Sequence, residues 1–357
     1  MRTVTRYLAR EIYKATAFAF VAFLALFAFF DLINELDDVG KGGYRLPHVF
    51  LFVTLSLPGH AYELFPIAVL IGTMVVLATL AANSEFTVMR VAGLSPGQAV
   101  WALARAGATF VVLAVVLGEI AAPVAEKAAQ RIRLERIGTA VGSDLRTGIW
   151  VKTDTRFVNV GQVLPDSTLK AVRIFEFDRE FRLLSISDAA AGRYEGANRW
   201  RLSDVTETAF EKDRTTVQKR DSIQWESVLT PDMLSVLLVV PEKLSAWGLY
   251  QYTQHLAANK QRTERYEIAF WKKLVFPFAA LVMMALALPF AYIQVRHGGV
   301  GLKLFAGLMI GVLFHFLNSL FSHIGVLERW PPISAAILPS ALFLAMAVAM
   351  MWWVERR

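Results

Sequence analysis

"GIWVKTDTRFVNV", residues 148–160, decides how this chain is divided. Apolar and polar side chains alternate along it, which is the period of a half-buried β-strand. The sequence further out on both sides is different. It consists of apolar runs approaching the roughly 20 residues that a helix needs to cross a bilayer. An open sheet edge has no partner for its backbone in hydrocarbon. The alternating stretch therefore belongs to a domain outside the membrane, inserted between membrane-spanning segments.

Alternation recurs in "LKAVRIFEFD" (169–178), "LLSISDAAAGRYEG" (183–196), "RWRLSDVTETAF" (199–210) and "SIQWES" (222–227), with turn-like "DRE" and "EGANR" between strands. Counting 150–160 as one strand, these pieces predict a small antiparallel sandwich or jelly roll. "LSAWGLYQYTQHLAA" (244–258) predicts an amphipathic helix leading back to the membrane. Six spans flank the insertion. They are Ile12 to Ile33, a second within Val49 to Leu80, Ala99 to Ala122 ending near Pro123, Ile268 to Tyr292, Val300 to His323, and Ile333 to Val354. Pro58 and Pro66 predict that the second is kinked or broken. The expected fold is a polytopic α-helical membrane protein with an inserted antiparallel β-jellyroll. Residues 1–123 hold helices one to three with a short helix at 84–93, 124–267 hold the β-domain and its flanking helical segments, and 268–357 hold helices four to six. Arg2, Arg6, Arg10 and Lys14 precede an apolar run with no small-x-small cleavage site, so a retained first span is expected rather than a signal peptide.

Composition agrees. Of 357 residues, 55% are hydrophobic and 19% charged, with a mean hydropathy of +0.45; soluble chains carry about 25% charged residues. The absence of cysteine excludes disulfides, thiolate metal sites and thiol catalysis. A net charge of +7 fits lipid headgroups and orientation charges better than nucleic acid. No G-x-x-x-x-G-K-[ST], H-E-x-x-H or G-x-S-x-G occurs, and the six histidines form no ligand-like pair. No catalytic site, metal or cofactor is expected.

With the N-terminus in the cytoplasm, the inner segments carry Arg2, Arg6, Arg10, Lys14, Arg90, Arg296, Lys303, Arg356 and Arg357. The short outer loops carry Lys41, Arg45 and Arg329. That asymmetry places both termini in the cytoplasm and the β-domain on the far side, the periplasm of a bacterium. Against the bias, Lys127, Arg131, Arg133 and Arg136 follow span three, and Lys260, Arg262, Arg265, Lys272 and Lys273 precede or open span four. They read either as snorkelling charges beside Tyr266 and Trp271 or as a cationic collar around an anionic lipid. Two polar stripes have helical spacing: Asp31, Asn34, Glu35 and Asp38 at the end of span one, and His315, Asn318, Ser319 and Ser322 in span five. Each either lines a cavity or bonds a neighbouring helix.

"NSEFTVMRVAGLSPGQAV" (83–100) holds the short helix. Asn83 or Ser84 is the expected cap, with Glu85 in the positive first turn and Gly93 at the end. Ser95, Pro96 and Gln98 form a capping box that starts span three. The helix either rests on lipid or docks in a partner's groove. A capped rod transmits force; a flexible loop does not.

Taken with "RYLARE" at the start, "SEFTVMRVAG" (84–93), "GEIAAPVAE" (118–126), the opening stretch, "LTPDMLSVL" (229–237), "RYEIAFWKKLVFPF" (265–278) and "PPISAAILPS" (331–340), the chain resembles the LptF/LptG permease family of the lipopolysaccharide export ABC transporter, and within it the LptG branch. The resemblance spans essentially the whole chain. It implies a pairing with the sister permease LptF, two cytoplasmic LptB ATPases that use ATP-Mg in trans, and LptC. The assembly lifts lipopolysaccharide from the outer leaflet of the inner membrane onto a chain of jellyrolls. Glu85, with Phe86, Met89 and Arg90 around it, matches the helix that enters the ATPase. Lys41, Arg131, Arg133, Arg136, Lys272 and Lys273 become expected lipopolysaccharide contacts, and Asp31, Asn34, His315, Asn318 and Ser322 expected cavity residues. One departure stands out: Asp31, Asp37 and Asp38 occupy positions where the family carries lysines. Alternatives are the sister (LptF-like) role, a membrane scaffold for a periplasmic partner, and a lipid-modifying enzyme using Asp31 and His315.

Overall fold

The computed structural model describes residues 2–93, 95–137, 148–153, 155–164, 168–178, 180–196, 198–210, 214–227, 241–259, 261–292 and 300–356. The expected "LTPDMLSVL" motif, Lys260 and Arg296 lie outside them. Among the described residues, six helical segments are long and apolar enough to cross a membrane: Val4–Leu36, Leu46–Ala82, Gly97–Arg133, Glu264–Tyr292, Leu304–Leu327 and Pro332–Val354. The elements that build them are α1 (Arg2–Leu36), α2 (Leu46–Ala82), α4 (Pro96–Val116), α5 (Ala122–Ile137), α7 (Glu264–Val275), α8 (Ala279–Ala287), α9 (Pro289–Tyr292), α10 (Val300–Leu327) and α11 (Pro332–Glu355), while α3 (Glu85–Val91) and α6 (Ala246–Ala258) lie between spans.

Helix α2 is the centre of the bundle. It packs against α1, α5, α8 and α10. In its apolar window 78% of residues are buried, against 11% for α1, so the outer helices keep most of their apolar surface for lipid or further chains. The expected break at Pro58 and Pro66 does not occur, since α2 runs unbroken through both. Neighbours on every side hold the helix together where two backbone donors are missing.

The third span corrects the sequence reading differently. It continues through Pro123 to Arg133 instead of ending there. One widened turn, Leu117–Ala121, precedes the proline, and the Ala122 amide reaches back to the Leu117 carbonyl. Widening the turn makes room for a ring that would otherwise strike the carbonyl four residues back. A tight turn, Phe276–Phe278, surrounds Pro277 in span four, and Leu288 separates α8 from α9 ahead of Pro289.

Six strands lie in sequence between spans three and four: β1 (Ile149–Thr153), β2 (Arg156–Val163), β3 (Leu169–Phe177), β4 (Leu183–Gly196), β5 (Arg199–Phe210) and β6 (Thr215–Glu226). All pairs are antiparallel and the order is sequential, so the described strands form one meander with no crossover. The stretch 150–160 is a hairpin and not one strand, with Thr153 paired to Arg156. Its apolar phase shows why: the inward residues are Ile149 and Val151, then Val158 and Val160, an odd step that no continuous strand makes. The last strand is longer than expected because "TTVQKRD" is polar and lies on an exposed edge. Val158, Val160, Leu169, Trp200 and Leu202 form a core that excludes water completely, and the Tyr194 ring packs on Trp200 at 5.2 Å.

Trp200 is the largest side chain in that core. Trp200→Ala is expected to cost about 3–5 kcal/mol. Limited proteolysis of the variant should cut within the sheet while the six spans stay inserted; an intact sheet at wild-type protease levels would refute the assignment of this core.

Candidate lipid and coupling sites

The chain leaves the bundle for the sheet after α5 and returns before α7, which defines an insertion end and an opposite end. At the insertion end the acidic stripe of α1 folds onto its neighbours. Glu35 is 5% exposed. It accepts a hydrogen bond from the Tyr44 hydroxyl at 3.2 Å and ion-pairs with Arg133 Nε at 2.9 Å. Arg133 also donates to Asp38, which in turn binds the Lys41 ammonium. The Gly43 amide donates to the Arg136 carbonyl at 2.7 Å, and Asp31 meets His60 Nε2 at 2.6 Å. The stripe thus closes helix onto helix. Lys41 and Arg133 together hold the Asp38 carboxyl below the usual carboxylate range. Burial, reinforced by Glu35, pushes the Tyr44 phenol well above its ordinary value, so it remains a donor.

The expected cationic collar therefore divides. Arg133 of the collar, and Lys41 beside it, are matched to Glu35 and Asp38. Glu35 and Asp38 neutralise the arginine on α5, while Asp31 meets His60. Arg131 and Arg136 lie on the exposed surface of α5. Lys272 and Lys273 belong to a different place. They line a cavity of 390 Å³ with Tyr62, Arg265, His315, Asn318 and Ser322. Three of the five expected cavity residues are therefore together, whereas Asp31 and Asn34 do not line this cavity.

Two acids of the "GEIAAPVAE" motif act here without having been singled out. Glu119, on the widened turn, accepts the Ala246 amide at 2.9 Å. Glu126 is 4% exposed and binds both Lys243 Nζ at 2.9 Å and Gln130 Nε2 at 3.0 Å. Together they fasten the chain returning from the sheet to the helix that leaves for it. An acid in an otherwise apolar or small-residue motif was the signal available.

At the opposite end, α3 sits where the sequence places the short helix. Ser84 adopts a positive φ of 60° and makes no side-chain cap, contrary to expectation. Asn83 Nδ2 instead donates to Glu85 Oε1 at 3.3 Å, and the Tyr7 hydroxyl donates to Glu85 Oε2 at 3.2 Å. Gly93, at φ 97°, ends the helix as expected, and Ser95 and Gln98 make the reciprocal capping box. Phe86 is 2% exposed and packs edge-on against Tyr292 at 5.0 Å, with Arg90 over the same ring at 4.8 Å. Met89 also packs on the helical core. Phe86 and, in part, Met89 therefore anchor α3 to its own chain. The exposed apolar residues are Val88 and Val91, with Thr87 and Arg90 exposed beside them. That split explains why the apolar residues of α3 form no single stripe.

The comparisons with known proteins agree with this architecture. The family model for the lipopolysaccharide export system permease LptF/LptG matches residues 6–353. A lipopolysaccharide export system permease protein LptG from Haemophilus influenzae is 30% identical over 358 residues, covering 100% of this chain and 99% of its own length. The LptG of Escherichia coli K12 is 28% identical over 354 residues, covering 99% of this chain and 98% of its own. This chain belongs to the LptF/LptG family of lipopolysaccharide export system permeases.

Proposed function

We propose that this chain is an LptG-type permease subunit of an ABC transporter in the bacterial inner membrane. It lifts lipopolysaccharide from the outer leaflet and hands it to a bridge of β-domains. The energy comes from ATP-Mg hydrolysed by a separate LptB-type ATPase dimer. The sister permease LptF and LptC complete the assembly. In this reading the insertion end is periplasmic, and both termini and α3 are cytoplasmic. The chain has no catalytic role of its own.

The observation that carries the proposal is the mounting of α3. A seven-residue helix is too short to be stable alone. Phe86 and Arg90 clamp it on Tyr292, at the end of span four, and Glu85 is tied to Tyr7 in span one. A push on the outward face of α3 is thereby delivered to two spans. A passive anchor has no use for such a joint. The first test is purification from membranes, in which an ATPase and a second permease should accompany the chain; recovery of the chain without either would sink the proposal.

Glu85→Ala removes the acceptor for both Tyr7 and Asn83. The variant is expected to insert normally but to lose lipid release by at least about tenfold per ATP hydrolysed, the scale of one or two charge-assisted hydrogen bonds. Wild-type coupling in reconstituted vesicles would count against the joint.

The Arg133 clamp has a pH signature. A depressed folded-state value for Asp38 contributes stability above its ordinary pKa of about 3.9, and that contribution fades as pH falls through the folded value. Melting curves of the wild type should therefore drop below about pH 4 by more than those of Asp38→Asn, which starts lower and lacks this component. Parallel curves for the two would remove Asp38 from the clamp.

A further inference from the structure

The cavity between α2, α7 and α10 holds more deep donors than its own acceptors can satisfy. Lys273 is 6% exposed. Its ammonium lies 4.5 Å from the centre of the Tyr62 ring and forms no hydrogen bond or ion pair with a described residue. The Tyr62 hydroxyl is buried with no hydrogen-bond partner among the described residues. Lys272 Nζ reaches only the Ser322 hydroxyl, at 3.4 Å, and that hydroxyl donates its own proton to the Asn318 carbonyl. Asn318 is itself 6% exposed. Glu63 and Glu242 of the lining, both exposed, and the nearby Glu119 act on the lysines at a distance, but none forms an ion pair with either lysine among the described residues. Solvent screens such rim charges, while the deep ones are screened far less. Buried donors in a native protein are nearly always matched, so this group calls for an acceptor from outside.

We infer that this cavity is a binding site, held within the single chain, for a phosphate-type anion. Its 390 Å³ falls within the size range of small-ligand pockets, about 300–1,000 Å³. A tetrahedral phosphate group offers several oxygens at once to the two ammonium groups and the phenol hydroxyl, and its charge compensates the lysines. A neutral ligand would leave both lysines without an anion in direct contact. The depth is also right. Lys273 stands roughly 29 Å of helix rise from Tyr292 at 1.5 Å per residue, close to the thickness of a hydrocarbon core of about 30 Å. The cavity therefore sits at headgroup level on the insertion side, where a lipid phosphate or a free phosphate in water can enter past Arg265, His315 and His323, all exposed at its edge. The site deepens the proposed export function by supplying a phosphate contact separate from the self-neutralised Arg133 cluster, and it rests on that reading only for the natural ligand's identity.

The test is binding, not transport, so its failure is distinguishable from failure of the export reading. The full chain, in the complex recovered from membranes, is placed in nanodiscs of phosphatidylethanolamine and phosphatidylglycerol. Retained lipid is counted by native mass spectrometry with and without millimolar inorganic phosphate. The double variant K272Q/K273Q is expected to lose roughly tenfold or more of the retained phospholipid, and Tyr62→Phe about threefold, with Lys273→Arg restoring most of it. Tyr62→Phe also guards against misfolding, because its hydroxyl holds nothing in the fold. Lipid retained by the wild type and lost from the double variant assigns the site to a headgroup; a phosphate adduct without lipid assigns it to the free anion. Equal retention in the wild type and the double variant, or binding of neither probe, overturns the proposal.

Discussion

The close approach of four helical segments to α2 is the constraint on which the bundle rests. In hydrocarbon the hydrophobic effect does not drive helices together, and close packing takes over. Glycine marks the contacts. Gly72 of α2 lies against Thr16 of α1, and Gly118 on the widened turn lies against the Tyr62 ring. Gly307 and Gly311, one turn apart on α10, lie against Met74 and Ile67. A methyl group at any of the four would collide with its neighbour. The widened turn belongs to the same set. It carries Gly118 against Tyr62 and Glu119 against the chain returning from the sheet, so one irregular turn sets both the packing of α2 and the footing of the inserted domain.

The sequence made the spans and the inserted sheet legible because both depend on local properties: the length of an apolar run, and alternation. It did not show where span three ends. Beyond the bilayer a helix no longer needs apolar residues, so the apolar run stops near Ala122 while the helix goes on to Ile137. Nor did the strand count survive at 150–160, where a change of phase across the hairpin was the only clue. The face of α3 was illegible for another reason. Phe86 and Val88 are equally apolar, and only the position of Tyr292, two hundred residues away in sequence, turns one inward and the other out.

The site residues divide in the same way. Spacing alone put Asp31, Asn34, Glu35 and Asp38 on one face at the end of span one, where Asp38 lies in the turn after α1, and His315, Asn318 and Ser322 on one face of α10. It could not say which partner each face meets. The acidic face meets Arg133, His60, Tyr44 and Lys41 and becomes part of the scaffold. The span-five face meets Lys272 and Lys273 and becomes part of a cavity. Among cations expected to share one ligand, the difference is the presence or absence of a carboxylate in direct contact, a property of the packed bundle.

That difference bears on how a cation can serve a mobile anion. An arginine already held by two carboxylates gains little from a phosphate, because the new ion pair must displace an old one at nearly equal charge. Removing it would strand Glu35, a buried carboxylate, so its main contribution is to join α1 to α5. A buried ammonium whose direct partner among the described residues is an aromatic ring has the opposite balance. A cation over a ring is stabilised by about 0.5–2 kcal/mol, less than a charge-assisted hydrogen bond contributes in a dry site. The ring holds Lys273 in place while the cavity is empty and yields it when an anion arrives. Tyr62 is thus suited to keep a binding site formed without filling it, and the same ring rests on Gly118 of the widened turn.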